Sequence, residues 1–319
     1  MLAKLCTLMR NKPAIIRVIV FFLLILLFSF GITSCQLRMQ RRAETPQPAK
    51  STFPVDDTHR IVPLQKPAQR VAIIGPGATE TIFSLGLGNR IIGRDQISDY
   101  PPAALKIPVI GNYTGPFYEK IIAAHPDLLI MQGETWNNAA RLNAISQKIG
   151  APVAALTATN LKDVAADIHK IGAWLGVPDK AAKIAGPLEH LVTNAPKTRA
   201  TAFIQISRSP LWAAGSDTLV GDAINHSGFK NVADVSGYKQ FSIESLLALN
   251  PDVYIVPTDD SDTTKVLSSL QNDPQLGKLP AVKAGNVIVI DADLLLRPSA
   301  RLAKGIGILR GAAQKFQKK

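Results

Sequence analysis

Cysteine is almost missing from this chain. Its 319 residues include two, Cys6 and Cys35, so the region beyond residue 35 has no disulfide and no thiol chemistry, and its stability must come from a core. Catalytic signatures are missing too. The sequence has no G-x-x-x-x-G-K-[ST], no G-x-S-x-G and no H-E-x-x-H, which removes the P-loop, the nucleophile elbow and the zincin helix from consideration. Five histidines are present (His59, His125, His169, His190 and His226), and no two stand at i, i+4. Scattered surface or core positions account for them better than a metal cage, which needs convergent ligands. Basic residues outnumber acidic ones, 36 to 24, yet no basic stripe is interleaved with aromatics, which argues against a nucleic-acid partner.

Acidic residues are absent from the first 34 positions. Lys4, Arg10, Lys12 and Arg17 precede the uncharged run VIVFFLLILLFSFGI, Val18 to Ile32. A basic n-region before an apolar h-region is the pattern of a secretory signal, and 15 residues are short for a spanning helix, which needs about 20. ITSC follows, ending at Cys35, and resembles a lipobox in which the cysteine is cut free and diacylated. An uncleaved signal anchor is the alternative. Either way the basic flank stays inside and the rest of the chain lies outside the cytoplasm, periplasmic or at the cell surface. With the four leading bases removed, 32 basic residues face 24 acidic ones, a net charge of about +8. Part of it sits in a basic linker that suits an anionic membrane surface.

Beyond Cys35 the expected organisation is a signal peptide over 1–34, a flexible tether over 35–69, an α/β lobe over 70–177, a linking helix over 178–200 and a second α/β lobe over 201–319. Short apolar runs (RVAIIG, RIIGR, DLLIMQ, PVAAL, then TAFIQIS, VYIVP, NVIVID) alternate with helical patterns, the arrangement of mostly parallel sheets flanked by helices. The fold class is α/β, in two lobes joined by one helix. Gly186-Pro187 falls inside that helix and predicts a kink or break.

A repeat supports the two-lobe reading. YEKIIAAHPDLLI (118–130) and IESLLALNPDVYI (243–255) share one formula at an offset of 125 residues: Glu, any residue, two aliphatics, Ala, two residues, Pro-Asp, an apolar run. Related units at a fixed spacing explain this better than one continuous domain. Glu119 and Glu244 hold equivalent places, each at the start of a short helix. A carboxylate there suits the helix dipole. Equivalent places on two lobes also put two carboxylates one on each side of a cleft, suited to bidentate pairing with arginines of another protein. GPGATE (75–80) follows a strand and opens a helix, close to a dinucleotide fingerprint, but Glu80 stands where the third glycine belongs. It is read as a strand-to-helix turn at a cleft mouth.

RVAIIGPGATETIFSLGLGNRIIGRDQISDYP, EKIIAAHPDLLI, SIESLLALNPDVYI and LPAVKAGNVIVID, in that order, resemble the class III periplasmic binding proteins, which serve ABC importers of vitamin B12, ferric siderophores and haem. The resemblance covers roughly residues 65 to 315. It implies two α/β lobes with little hinge motion, a shallow cleft for a metal chelate, and no cofactor or covalent chemistry. It further implies docking of Glu119 and Glu244 into arginine pockets of a permease that works with an ATPase. The expected receptor is a monomer, tethered to the membrane by lipid on Cys35.

Within that family the cobalamin-binding branch is the nearest pattern. SDYPP (98–102), Tyr113, Tyr238, Asp293 and Arg297 occupy positions that line its cleft, whereas Ile97 and Leu294 stand where the branch has aromatics. Tyr113 is also the candidate iron ligand of a haem receptor, and Arg297 with Arg208 would serve as counter-charges for an anionic siderophore. Trp136 and Trp212 complete the candidate lining, each equally open to a loop-packing role. Two other classes stay open: an extracytoplasmic α/β hydrolase or metal-dependent enzyme, and a ligand-sensing module for a signalling partner.

Overall fold

Long, unalternating apolar runs in the strands call for sheets covered on both faces, and two such sheets form. The structure is a computed structural model that describes residues 53–112, 115–196 and 200–316. The signal-like run and Cys35 lie outside the described residues. Among the described residues no helix is long and apolar enough to cross a membrane.

The first sheet contains β1 (Val71–Ile74), β2 (Ile91–Asp95), β3 (Val109–Asn112), β4 (Gly115–Pro116), β5 (Leu128–Gln132) and β6 (Val153–Leu156), in the order β4-β3-β2-β1-β5-β6. All pairings are parallel except β3 with β4. Its helices are α1 (Pro76–Ser84), α2 (Tyr118–Ala124), α3 (Ala139–Ile149) and α4 (Leu161–Trp174). Alternation along β1 and β5 splits the core. Val71, Ile73, Leu128 and Ile130 face a cluster that includes Ile82 of α1 and Ile168 of α4. Ala72, Ile74, Leu129 and Met131 face Ile121 of α2 and Leu142 and Ile145 of α3.

Helix α5 (Pro178–Thr193) follows α4 and packs on it, with Ala181, Ala185 and Leu188 in the first lobe's core. Pro178 opens it at a position where the missing N–H costs nothing. The expected break at Gly186-Pro187 does not occur: the helix runs through Pro187. Pro187 is exposed while Ala185 and Leu188 are buried, so the proline ring faces water and the buried stripe of the helix is undisturbed. Gly172 lets α4 and α5 cross closely, since a Cβ there would stand 2.2 Å from that of Ala181.

In the second lobe a parallel sheet orders β10 (Lys230–Asn231), β7 (Thr201–Ile204), β12 (Val253–Thr258) and β13 (Val287–Asp291), and a small antiparallel sheet orders β11 (Tyr238–Gln240), β9 (Leu211–Ala214) and β8 (Ser207–Arg208). Helices α6 (Leu219–Ser227), α7 (Ile243–Leu249), α8 (Thr263–Gln271), α9 (Pro280–Lys283), α10 (Asp293–Leu296) and α11 (Leu302–Ala313) surround them. The alternation of the first lobe returns. Ala202, Ile204, Val253 and Ile255 pack towards Val220, Ile224 and Leu309, and Phe203 and Tyr254 towards Leu246 of α7 and Leu270 of α8.

The repeated Glu…Pro-Asp formula has a structural cause. α2 and α7 each have seven residues and end on a non-glycine residue in the left-handed region, His125 (φ 48°) and Asn250 (φ 44°), a common way to close a helix. The aspartate that follows then fastens a neighbouring strand. Asp127 accepts hydrogen bonds from the Gln69 and Arg70 amides at 2.7 and 2.9 Å. Asp252 accepts from the Thr201 amide and hydroxyl at 2.7 and 2.8 Å. One device thus registers β1 with β5 and β7 with β12.

Residues 53–69, expected within the tether, are packed onto the first lobe. Val62, Leu64 and Ala68 are buried in its core. Asp56, 1% exposed, accepts from Arg60, from Thr58 and from the Ala155 amide. The Trp174 indole donates to the Pro54 carbonyl at 3.1 Å. The polar, proline-bearing composition of this stretch conceals a strap in which Val62, Leu64 and Ala68 reach the core and both aspartates find partners, while Val55 and Ile61 stay exposed.

Candidate functional site

The strand-to-helix turn GPGATE sits where the two lobes meet. Gln132, at the end of β5, accepts from the Ala78 amide at 2.9 Å and donates to the Pro298 carbonyl of the second lobe at 3.0 Å. Gly77 permits this approach: a Cβ there would lie 2.2 Å from the Pro298 oxygen. One turn further on, Glu80 is 2% exposed. Its carboxylate accepts from Ser299 Oγ at 2.6 Å, Arg301 Nη1 at 3.1 Å and Arg297 Nη1 at 3.2 Å. An acid that blocks a dinucleotide fingerprint is here the partner of two arginines from the other lobe.

The same arginines reach further carboxylates. Arg297 pairs with Asp99 of the first lobe at 2.8 Å and Asp293 at 2.6 Å. Arg301 lies 3.5 Å from Asp291 and 3.8 Å from Asp293, and its guanidinium stacks 3.8 Å from the centre of the Tyr100 ring. Asp95, at the end of β2, is buried and accepts from the Ser98 amide and hydroxyl, which fixes the start of the loop carrying Asp99 and Tyr100. Burial raises the pKa of Asp95 despite those bonds. Burial opposes the charge on Arg297, but Asp99, Asp293 and Glu80 outweigh it and hold the guanidinium above its ordinary value. Asp293 is raised, first by burial and then by Asp291 and Glu80, against the pull of Arg297 and Arg301.

Above this network an open cleft of about 580 Å³ is lined by Asp99 from one lobe and by Asp259, Asp260, Asp291, Asp293 and Arg297 from the other. Carboxylates dominate it, and the arginine in its wall is already matched. Among the described residues no group of three or more histidine, cysteine or acidic side chains could hold a bare metal ion.

The predicted lining residues are distributed unevenly. Asp293 and Arg297 come together as an ion pair in the cleft wall. Tyr238 and Trp212, 38% and 36% exposed, stand on the antiparallel ribbon, where Tyr238 pairs with Ala214 and Trp212 with Gln240. That register puts both rings on one face as diagonal neighbours, within reach of each other. Burial raises the Tyr238 phenol pKa, with Glu134 of the first lobe adding repulsion. Trp136 is only 6% exposed; it packs in the first lobe's core with Arg141 4.3 Å over its ring. Arg208 does not line the cleft; it pairs with Asp273 at 2.7 Å and Ser269 at 2.8 Å, in the wall of a smaller cavity that shares Thr258 and Asp260 with the cleft. Tyr113 lies outside the described residues. Glu119 and Glu244 are both exposed in the first turn of their helices, and Ser242 caps α7 by accepting from the Ser245 amide.

Asp291, Ser299 and Arg301 are absent from the sequence reading, which held Asp99 only as part of SDYPP and gave Glu80 no role in the site. Only Glu80 carried a signal, as the misfit in GPGATE; the others meet across 200 residues of chain, which spacing does not reveal.

Comparison with known proteins settles the family. A family model described as periplasmic binding protein matches residues 71–294. The chain belongs to the periplasmic binding protein family. The vitamin B12-binding protein of Vibrio vulnificus is 31% identical over 247 residues, covering 74% of this chain and 86% of that protein. An ABC transporter substrate-binding lipoprotein of Bacillus subtilis, itself uncharacterized, is 26% identical over 298 residues, covering 88% and 92%. Among solved structures, the periplasmic vitamin B12-binding protein of Vibrio cholerae superposes with a TM-score of 0.67 at 24% identity, over 79% of this chain and 99% of that one, a likeness of fold. This periplasmic binding protein is therefore a substrate-binding transport component and not an enzyme, which removes the hydrolase and metal-enzyme alternatives. What it binds is a transported load rather than a cofactor. The family is extracytoplasmic and works with ABC importer permeases.

Proposed function

We propose that this chain is a lipid-anchored receptor, attached through Cys35, that captures a neutral or cationic metal chelate of the corrinoid class and delivers it to an ABC importer permease. The observation that carries the ligand class is the charge of the cleft. Five aspartates line it or its rim, and Arg297 is bound to three carboxylates. An anionic siderophore or a haem with two propionates would meet that field without a free counter-charge. A corrinoid brings a neutral or positive core and a periphery of amides that donate to carboxylates. Tyr238 and Trp212 add flat apolar faces for a macrocycle, and the relatives named above as vitamin B12-binding proteins agree with this class. The lipoprotein relative agrees with the anchor.

Delivery rests on Glu119 and Glu244. Equivalent positions, equal exposure and the absence of an ion pair to either among the described residues suit them to a partner outside the chain. Replacing both by alanine is expected to abolish uptake of cyanocobalamin in cells, while the purified variant keeps its cyanocobalamin affinity within about twofold, since neither residue reaches the cleft. A parallel loss of affinity would remove the docking assignment. Failure of the unaltered protein to bind cyanocobalamin or aquocobalamin in a calorimetric titration would remove the ligand class. Uptake that is normal in the double variant, with a transcriptional response lost, would favour the sensing module.

A further inference from the structure

We infer that Glu80 is the residue that sets the charge selectivity of the cleft, although it never reaches the ligand. The inference deepens the proposed function and rests on its reading of the cleft.

Glu80 belongs to the first lobe and is buried; the two arginines it holds belong to the second. Arg297 is itself part of the cleft wall, and Arg301 touches the two aspartates, Asp291 and Asp293, that line the cleft beside it. Glu80 therefore does two things at a distance. It cancels one unit of positive charge directly beneath the site. It also fixes where both guanidinium groups point, because Arg301 has no other carboxylate closer than 3.5 Å. Without Glu80, Arg301 keeps only its long contacts and the stack on Tyr100, and it is free to turn towards the cleft. Burial makes the effect large: a charge in this interface is poorly screened, and one unit charge roughly 8 Å from a ligand group, at an effective dielectric constant of about 20, changes affinity by about tenfold or more.

The neighbouring contacts make the substitution readable. Glutamine at position 80 keeps the shape and an acceptor for Ser299 Oγ, so the turn and the Gln132 bridge to Pro298 stay in place. A role limited to holding the lobes together would weaken every ligand in parallel and lower thermal stability. A role in charge selectivity changes the ratio between ligands of opposite charge.

The test measures calorimetric affinities of the full extracytoplasmic chain for aquocobalamin, a cationic corrinoid, and for haemin, an anionic macrocycle, at low and high salt. Glu80→Gln is expected to move the haemin-to-aquocobalamin affinity ratio towards haemin by about tenfold at low salt, less at high salt. Arg301→Gln added to it is expected to reverse most of that shift, and Arg301→Gln alone to move the ratio the other way. The single arginine variant keeps the inference testable if Glu80→Gln does not fold. Equal changes for both probes, or an unchanged ratio, overturn the role of Glu80 while leaving the corrinoid reading intact. An unaltered protein that prefers haemin overturns the corrinoid reading, and the ratio shift still decides the role of Glu80. Binding of neither probe overturns both.

Discussion

Asp167 is the one buried side chain among the described residues with an oxygen, Oδ2, that lacks a hydrogen-bond partner. It is 3% exposed on α4 and faces the strap residue Asp57 and the amine of Lys170, which donates to both carboxylates. Burial first, and the charge of Asp57 second, push its pKa well above the ordinary carboxylate range, against the pull of Lys170. The linkage follows in sign. A carboxyl whose folded pKa exceeds its unfolded value favours the native state below the unfolded value, near pH 4, and that contribution is lost as pH rises through the folded value. Asp167→Asn has no such titration, and it places a neutral amide beside Asp57. The expected outcome is a stability profile that falls less between pH 4 and neutrality than that of the unaltered protein, read as the denaturant midpoint against pH. Identical profiles would mean that Asp167 is ionised throughout.

At the scale of elements, α5 shows how a local rule yields to packing. A proline inside a helix removes one backbone hydrogen bond and crowds the preceding turn, at a cost of about 3 kcal/mol. Here the ring faces solvent, so the carbonyl it leaves free is on the side open to water, and Ala181, Ala185 and Leu188 still bury one continuous stripe. Pro187→Ala is expected to raise unfolding stability by about 1 to 3 kcal/mol, the gain being trimmed because proline also restricts the unfolded chain. No gain in the denaturant midpoint would show that the helix is already bent to fit the ring. The parallel strands and the twin helices α2 and α7 were legible because their signals are local: runs of aliphatics, and a formula written twice. The ribbon β8-β9-β11 was not, since two- to four-residue antiparallel strands carry no period of their own and gain their register from tertiary contacts. The strap over 53–69 was missed for a related reason. Its composition is that of a linker, and only the pairing of Asp56 and Asp57 with groups about 100 residues away turns it into structure. The cleft was legible in part: Asp293 and Arg297 were found together, whereas the acid that governs them sits in the other lobe.

For the whole molecule, the decisive feature is that the hydrophobic core does not stop at the lobe boundary. Leu219 and Ala223 of α6 and Leu302 and Ile306 of α11 belong to the same buried cluster as Ile73, Leu161 and Ile168 of the first lobe. Polar contacts cross the boundary beside it: the Leu161 amide donates to Asp222 at 2.9 Å, Gln132 donates to Pro298, and Glu80 holds Arg297 and Arg301. Separating the lobes would expose apolar surface and strand a buried acid from its cations, at several kcal/mol. Two consequences follow together. The lobes have no low-energy hinge, so the cleft must admit its ligand by staying open rather than by closing over it, in keeping with its shape. The lobes also cannot unfold separately, so calorimetry is expected to give one transition with equal calorimetric and van't Hoff enthalpies. Leu302→Ala, which opens a hole on the shared seam, is expected to cost about 2 to 5 kcal/mol and to move that single transition as a unit. If the variant instead splits the trace, with one part melting early and the other unchanged, the lobes are separate folding units and the rigidity of the cleft must come from the ion pairs alone.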